Sequence, residues 1–295
     1  MPTLLDFRRR IRSVRNTQQI TRAMKFVAAA RLRRAQEKAM AARPYAQKIA
    51  VMLRSVQARV ENPSHPLMVR RPEERALLLV LTGDRGLCGA FNANVIRKAL
   101  EFVRQRSAQT LELIPIGKKG RDALRKQNWK FLAEYINVTA RVEFSRAQEI
   151  AGQVMGHYAT GEVDAAYVVY NEFKSILTQK LTMAKLLPIE PEPMDTVASE
   201  AIPGGPPAPV RVDYIYEQPP EDIFRKLVPQ YVETQVFRAM LESSAAEHAA
   251  RMTAMDSATN NAVELIEQLT LHMNKVRQAA ITKEIIEVVS GAAVQ

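Results

Sequence analysis

Ile11-Arg-Ser-Val-Arg-Asn-Thr-Gln-Gln-Ile-Thr-Arg-Ala-Met-Lys-Phe-Val-Ala-Ala-Ala30 lies inside a stretch, Thr3 to Arg43, of 41 residues with neither glycine nor proline. Stepping outward from it alternately by three and four residues meets Leu4, Phe7, Ile11, Val14, Gln18, Thr21, Lys25, Ala28, Leu32, Ala35, Ala39, Ala42, Ala46, Ile49, Leu53, Val56 and Val60. Only Gln18, Thr21 and Lys25 in that series are polar. An apolar position about every 3.5 residues marks a helix committed along one stripe to another helix. The alanines let the two axes approach closely.

The partner is found at the other end of the chain. Gln230 to Ser290 is again free of glycine and proline, over 61 residues. Its stripe reads Met255, Ala258, Ala262, Leu265, Leu269, His272, Val276 and Ala279. Uninterrupted, the two stretches make helices of about 60 and 90 Å, far above the usual length. Two such stripes in one chain predict an antiparallel coiled coil of the N- and C-terminal helices, closed at one end by the middle of the chain. Pro44 is expected to kink or weaken the first helix, since it removes a hydrogen bond and crowds the preceding turn.

The middle reads as an α/β domain. Ala76–Leu81, Leu111–Ile116, Phe131–Ile136 and Ala165–Tyr170 have strand character; Asn92–Arg106, Arg121–Lys126 and Ser145–Tyr158 have helix character. That alternation suggests βαβ units and a mostly parallel, Rossmann-like sheet. Thr178–Leu187 and Val210–Tyr216 read as an antiparallel pair joined by the Pro/Gly-rich connector Pro188–Pro209, a surface loop by composition. The expected division is thus 1–60 as the N-terminal coiled-coil helix, 70–220 as the α/β domain and 221–295 as the C-terminal helix.

Composition narrows the function. Over 295 residues, 47% hydrophobic and 25% charged side chains are ordinary for a globular protein. No apolar run exceeds the six residues of Ala76–Leu81, whereas a membrane-spanning helix needs about 20. The opening Met-Pro-Thr-Leu-Leu-Asp-Phe-Arg-Arg-Arg does not read as a secretory leader. A lone Cys88 suits a reducing compartment, and one Cys with four scattered His does not supply a zinc site of the usual spacing. The net charge of +11 is concentrated: residues 1–60 carry fifteen Lys/Arg against Asp6 and Glu37, or +13, so the rest sums to −2. A local basic surface is the reading, not a generally cationic protein.

Candidate chemistry is sparse. Leu81-Thr-Gly-Asp-Arg-Gly-Leu-Cys-Gly-Ala-Phe-Asn92 follows a strand and precedes a helix, where α/β folds bind phosphates. Its glycines at 83, 86 and 89 match neither the dinucleotide fingerprint nor the P-loop, so a tight turn or a partner contact is preferred. No nucleophile–base set stands out, His157, His248 and His272 lack spaced partners, and neither cofactor nor metal is expected. The Arg clusters at 8–15 and 31–34 could neutralise nucleic-acid phosphates, but one face of that helix is committed to its seam. A solvated basic face, or a complementary acidic protein, is the simpler account. Gln18, Thr21 and Lys25 are sharper clues: buried polar groups need partners, and the segment is expected to meet something besides its helix mate.

Four segments together resemble the gamma subunit family of F-type ATP synthase. They are Ile11–Ala30, Gly83-Asp-Arg-Gly-Leu-Cys-Gly89, Ala254-Met-Asp-Ser-Ala-Thr-Asn-Asn-Ala262 and Asn274-Lys-Val-Arg-Gln-Ala-Ala-Ile-Thr-Lys-Glu-Ile285. They occur in the family's order and span essentially the whole chain. The resemblance implies a non-catalytic central shaft that couples proton flow through a membrane ring to ATP synthesis on beta subunits. The implied partners are the alpha and beta subunits, the epsilon subunit and the c-subunit ring. Membrane association would come only through the complex, at the cytoplasmic face of a bacterial inner membrane, and no nucleic acid is involved. It places Met24 and Lys25 near an acidic lever of a beta subunit, with Cys88 in a loop of the same neighbourhood. It ties Arg251, Gln278, Thr282 and Glu284 to beta-subunit contact and coupling. The regulatory cysteine pair of chloroplast members is absent, since Cys88 stands alone.

Overall fold

A computed structural model describes residues 3–60, 65–106, 110–189 and 217–292. Its elements are α1 (Leu4–Gln57), a 3-10 turn (Pro66–Met68), β1 (Arg75–Leu81), α2 (Phe91–Gln105), β2 (Thr110–Ile116), α3 (Lys118–Arg125), α4 (Phe144–Ala159), β3 (Ala165–Phe173), β4 (Gln179–Leu187) and α5 (Pro220–Ala292). The chain forms two compact units, residues 1–31 with 251–295 and residues 32–250.

In the smaller unit, α1 and α5 run antiparallel. The ring of Phe7 lies 5.1 Å from that of His272, Thr21 meets Thr259 and Lys25 meets Asp256, so numbers rise on one helix as they fall on the other. Every expected seam position of α1, from Leu4 to Val60, is buried or half-buried, and the arginines at 8, 9, 10, 12, 15 and 22 are exposed. On α5 the stripe drifts. Leu265, His272 and Ala279 are exposed while Ile266, Met273 and Ala280 are half-buried. The contact line advances there with the 3.6-residue turn of a straight helix rather than the shorter coiled-coil repeat.

The larger unit is an α/β/α sandwich. The sheet order is β2-β1-β3-β4; β1 pairs in parallel with β2 and β3, and β4 closes one edge antiparallel to β3. Going from β1 to β2 moves one way across the sheet and from β2 to β3 the other, so right-handed crossovers put α2 and α4 on opposite faces. The side chains agree. Leu78, Val80, Leu113 and Val169 pack with Val95, Ala99 and Phe102 of α2. On the other face Leu79, Leu81, Ile114 and Val168 pack with Ile150 and Val154 of α4, Leu53 and Val56 of α1, and Val228 and Val232 of α5. Strands buried on both faces read as continuous apolar runs, as Ala76–Leu81 does.

One expectation is corrected. Phe131–Ile136 is not a strand; it touches β2 only through single bridges, Leu113 with Phe131 and Ile116 with Tyr135. Between the two bridges β2 advances three residues and the other segment four, so the register is not kept and no continuous ladder forms. Gln179–Leu187 pairs with β3, and the partner expected for it, Val210–Tyr216, lies outside the described residues, as does most of the connector 188–209. α1 continues through Pro44 to Gln57. Buried Ala39, Ala46, Ile49 and Leu53 hold the helix on either side of the missing hydrogen bond.

Glu73, just before β1, ties the far edge of the sheet together. Its carboxylate accepts from Arg106 Nη1 at 2.7 Å, from the Tyr167 hydroxyl at 2.8 Å and pairs with Lys185 Nζ at 3.0 Å. Burial pushes its pKa up, but the bonds from Tyr167, Lys185 and Arg106 outweigh burial and bring it from 4.5 to about 2. A depressed carboxylate pKa stabilises the fold above its unfolded value, and that contribution is lost as pH falls from about 4.5 towards 2. Glu73→Gln should therefore lower stability at pH 7 by about 1–2 kcal/mol, allowing for partial solvent screening. Urea midpoints of the two proteins should converge as pH drops from 4.5 to 3; a gap that stays constant would exclude this ion cluster as its source.

Candidate functional site

In a sheet of this topology, ligands bind at the carboxyl ends of the strands, where crossovers leave in opposite directions. Here that point carries the loop from Thr82 to Ala90, which is tied to its surroundings by hydrogen bonds. Gly83 N donates to Asn92 Oδ1 at 2.8 Å, Lys119 N to Gly83 O at 3.1 Å and Gly120 N to Thr82 Oγ1 at 2.8 Å. Asp84 accepts from Lys118 N at 3.0 Å, Asn137 N at 2.9 Å and the Thr139 hydroxyl at 2.7 Å. Gly117, at φ +104°, passes so close that a Cβ there would stand 2.1 Å from Thr82 O. The crevice itself is filled from α5: a Cβ on Gly83 would lie 2.7 Å from the Glu247 carboxylate carbon. A carboxylate in that position repels phosphate. Glycine here serves close helix approach rather than nucleotide binding.

The same stretch of α5 is enclosed on all sides. Ala239 to Ala249 is buried throughout, including Glu242, Ser243, Ser244, Glu247 and His248. Glu242 Oε1 accepts from Arg43 Nε at 3.0 Å and Nη2 at 2.9 Å, and its Oε2 accepts from Phe173 N at 3.2 Å. Arg43 also donates to Phe173 O at 3.3 Å. Sequence reading missed this cluster. Its visible signal is Leu241-Glu-Ser-Ser-Ala-Ala-Glu-His-Ala-Ala250, small residues carrying ionisable ones.

In the smaller unit two of the three polar seam positions, Thr21 and Lys25, are met by the facing helix. The Thr21 and Thr259 hydroxyls are 2.8 Å apart, and Thr259 passes its own proton to Met255 O at 2.7 Å. Lys25 Nζ donates to Asp256 Oδ1 at 2.6 Å, with the two side chains 36% and 47% exposed. Met24 is half-buried beside Lys25, and Arg251 is buried. Gln278, Thr282 and Glu284 are exposed on successive turns, and the Thr282 hydroxyl donates to Gln278 O at 3.0 Å. Cys88 belongs to the other unit and is enclosed, with Asn92 Nδ2 3.1 Å from its sulfur. Among the described residues no cluster could hold a metal ion, and no helix is long and apolar enough to cross a membrane.

The family model described as ATP synthase matches residues 3–294. The chain is 52% identical to the ATP synthase gamma chain of Solibacter usitatus, over 99% of both sequences. It is 49% identical to that of Chlorobium phaeobacteroides, over 99% of this chain and 98% of the other. The chain belongs to the ATP synthase gamma chain family. Among solved structures it is similar to a chain of the Tetrahymena thermophila mitochondrial ATP synthase central stalk and c-ring, with a TM-score of 0.58, 26% identity and coverage of 81% and 99%. The fold also matches a rotor chain of the Euglena gracilis mitochondrial ATP synthase, with a TM-score of 0.64, 20% identity and coverage of 94% and 98%. Membership of the gamma chain family leaves the nucleic-acid alternative without support.

Arg43 keeps a fully buried charge paired, so its loss should be severe for a gamma chain's folding. Arg43→Met is expected to cost about 3–5 kcal/mol by leaving Glu242 uncompensated. Adding Glu242→Leu should restore most of it, measured by urea denaturation. Equal loss in the single and double variants would show that the charge is not what matters.

Proposed function

We propose that this chain is the rotating central stalk of a proton-translocating F-type ATP synthase, coupling proton flow through a membrane ring to ATP synthesis on a head of alpha and beta subunits. The observation that carries this reading is the antiparallel pair of terminal helices with its overhang. Phe7 lies against His272, so α5 continues past the start of α1 as a single helix. That overhang exposes Ile281, Ile285 and Ile286 at 48%, 58% and 58%. Apolar side chains on a lone helix call for a surrounding sleeve, such as the top of a ring of alpha and beta subunits provides.

The mechanism follows from asymmetry. A shaft whose sides differ touches three like catalytic sites differently, holding each in a different state, and rotation exchanges their affinities. Arginines at 8, 9, 10, 12, 15 and 22 face solvent off the seam and suit acidic levers on beta subunits. Exposed ion pairs are worth about 0–1 kcal/mol each, which attracts without locking a bearing that must turn. Met24 and Lys25, with Arg251, Gln278, Thr282 and Glu284, are the positions assigned to beta-subunit contact and coupling. Cys88, being enclosed, acts by shaping its loop. The α/β unit is assigned to the epsilon subunit and the c-ring, at the cytoplasmic face of a bacterial inner membrane. The chain itself is non-catalytic: a carboxylate, Glu247, stands in the crevice beside the loop that could have held a nucleotide.

The isolated chain should show no ATP hydrolysis, and reconstitution with alpha and beta subunits should give hydrolysis-driven rotation. Deleting residues 278–295 should lower torque or assembly while the melting of the remaining chain is unchanged. Full torque and assembly after that deletion would refute the placement of the overhang.

A further inference from the structure

Three segments distant in sequence meet within the larger unit, and the ring of His65 lies among them. His65 precedes the 3-10 turn Pro66–Met68 in an extended conformation, φ −131° and ψ 139°, and its Nδ1 accepts from Leu67 N at 3.1 Å. Leu67 is buried, and its carbonyl accepts from Ile189 N, just past β4, at 3.2 Å. The His65 ring also stands edge to face with Phe224, near the start of α5, with centroids 6.3 Å apart. Leu67, Ile189 and Phe224 belong to one core cluster. A single half-buried imidazole thus joins the turn before β1, the end of β4 and the start of α5.

The cap fixes the tautomer. An Nδ1 that accepts carries no proton, so the neutral ring holds its proton on Nε2. An imidazolium donates from both nitrogens, and its Nδ1–H would face the Leu67 N–H, donor against donor. The surroundings do not favour the charge. The turn itself is Pro-Leu-Met, and the chain after β4 continues with Pro188 and Ile189, none of them ionisable. α4 packs on the turn and brings Tyr158, whose hydroxyl donates to Val69 O at 2.6 Å. α5 brings Arg225, a like charge. Burial, and after it Arg225, hold the His65 pKa below its ordinary 6.5. The unfolded ring therefore takes up its proton first, and the cap's contribution to stability, present above that pH, declines as pH falls below it.

We propose that His65 is an acid-sensitive latch: as the neutral imidazole it caps the turn and holds the end of β4 and the start of α5 against it, and protonation releases them. The inference is independent of the coupling role argued above.

The test uses the full chain. By NMR of the protein with labelled histidine, the His65 ring should titrate below 6.5. Hydrogen exchange read by mass spectrometry at about pH 7.5 and 5.5, on either side of the ordinary histidine value, is corrected for the intrinsic pH dependence of exchange. Protection of peptides carrying Leu67, Ile189 and Phe224 should fall about fivefold in the parent, as for loss of an N-cap. His65→Asn keeps a cap acceptor that does not titrate, so its protection should change less than about twofold over the same range. A ring that titrates at or above 6.5 would overturn the proposal, and that measurement needs no variant. Undiminished protection in the acidified parent, or an equal loss in parent and His65→Asn, would overturn it as well.

Discussion

The carboxylate of Glu242 is out of reach of water, and much of the larger unit is arranged around how that charge is met. Arg43 supplies two donors from α1 and the Phe173 amide supplies a third from the end of β3. One buried anion thus fixes a helix from each end of the chain against the end of β3. The helix can lie so deep because its neighbours in sequence are alanines and serines, and because Gly83 offers no Cβ where Glu247 passes. Removing one partner from such a pair exposes the full desolvation cost of the other. The cluster therefore specifies the arrangement more than it adds net stability.

The smaller unit treats polar groups in the opposite way. Thr21, Thr259, Lys25 and Asp256 lie at its seam, yet the ion pair remains more than a third exposed on both sides. A relay from Thr21 through Thr259 to Met255 O satisfies both hydroxyls without any outside group. Such a layer favours one axial register of two alanine-rich helices that could otherwise slide, a role best attested for polar residues in coiled coils. The same layer leaves Lys25 with solvent access.

How legible this was in the sequence differs by element. The α1 stripe is readable at every position because its burial keeps one helical period along its whole length. β1, β2 and β3 are readable because strands covered on both faces must be apolar throughout. Phe131–Ile136 misleads for the same reason: its side chains are apolar enough for a strand, but its spacing against β2 is off by one residue, and register cannot be seen in one segment alone. The α5 stripe fails after Ala262, where the contact line follows a straight helix and Ile266 replaces Leu265. The Glu242–Arg43 pair was invisible because it joins residues 199 apart, and an isolated Glu in an alanine-rich helix reads as a solvated face.

The committed loop after β1 and the exposed tip of α5 bear on one question. An α/β sheet with this crossover pattern would normally offer its switch point to a ligand. Here the long terminal helix occupies it with Glu247, and Asp84 closes the loop with three hydrogen bonds. The cost is the loss of the fold's usual site, and the gain is a rigid seat for this part of α5. The buried Glu242–Arg43 pair lies in the larger unit, and the exposed Lys25–Asp256 pair lies in the smaller one. That division follows from burial alone: the same cation-to-carboxylate chemistry fixes structure when water is excluded and permits sliding when it is not.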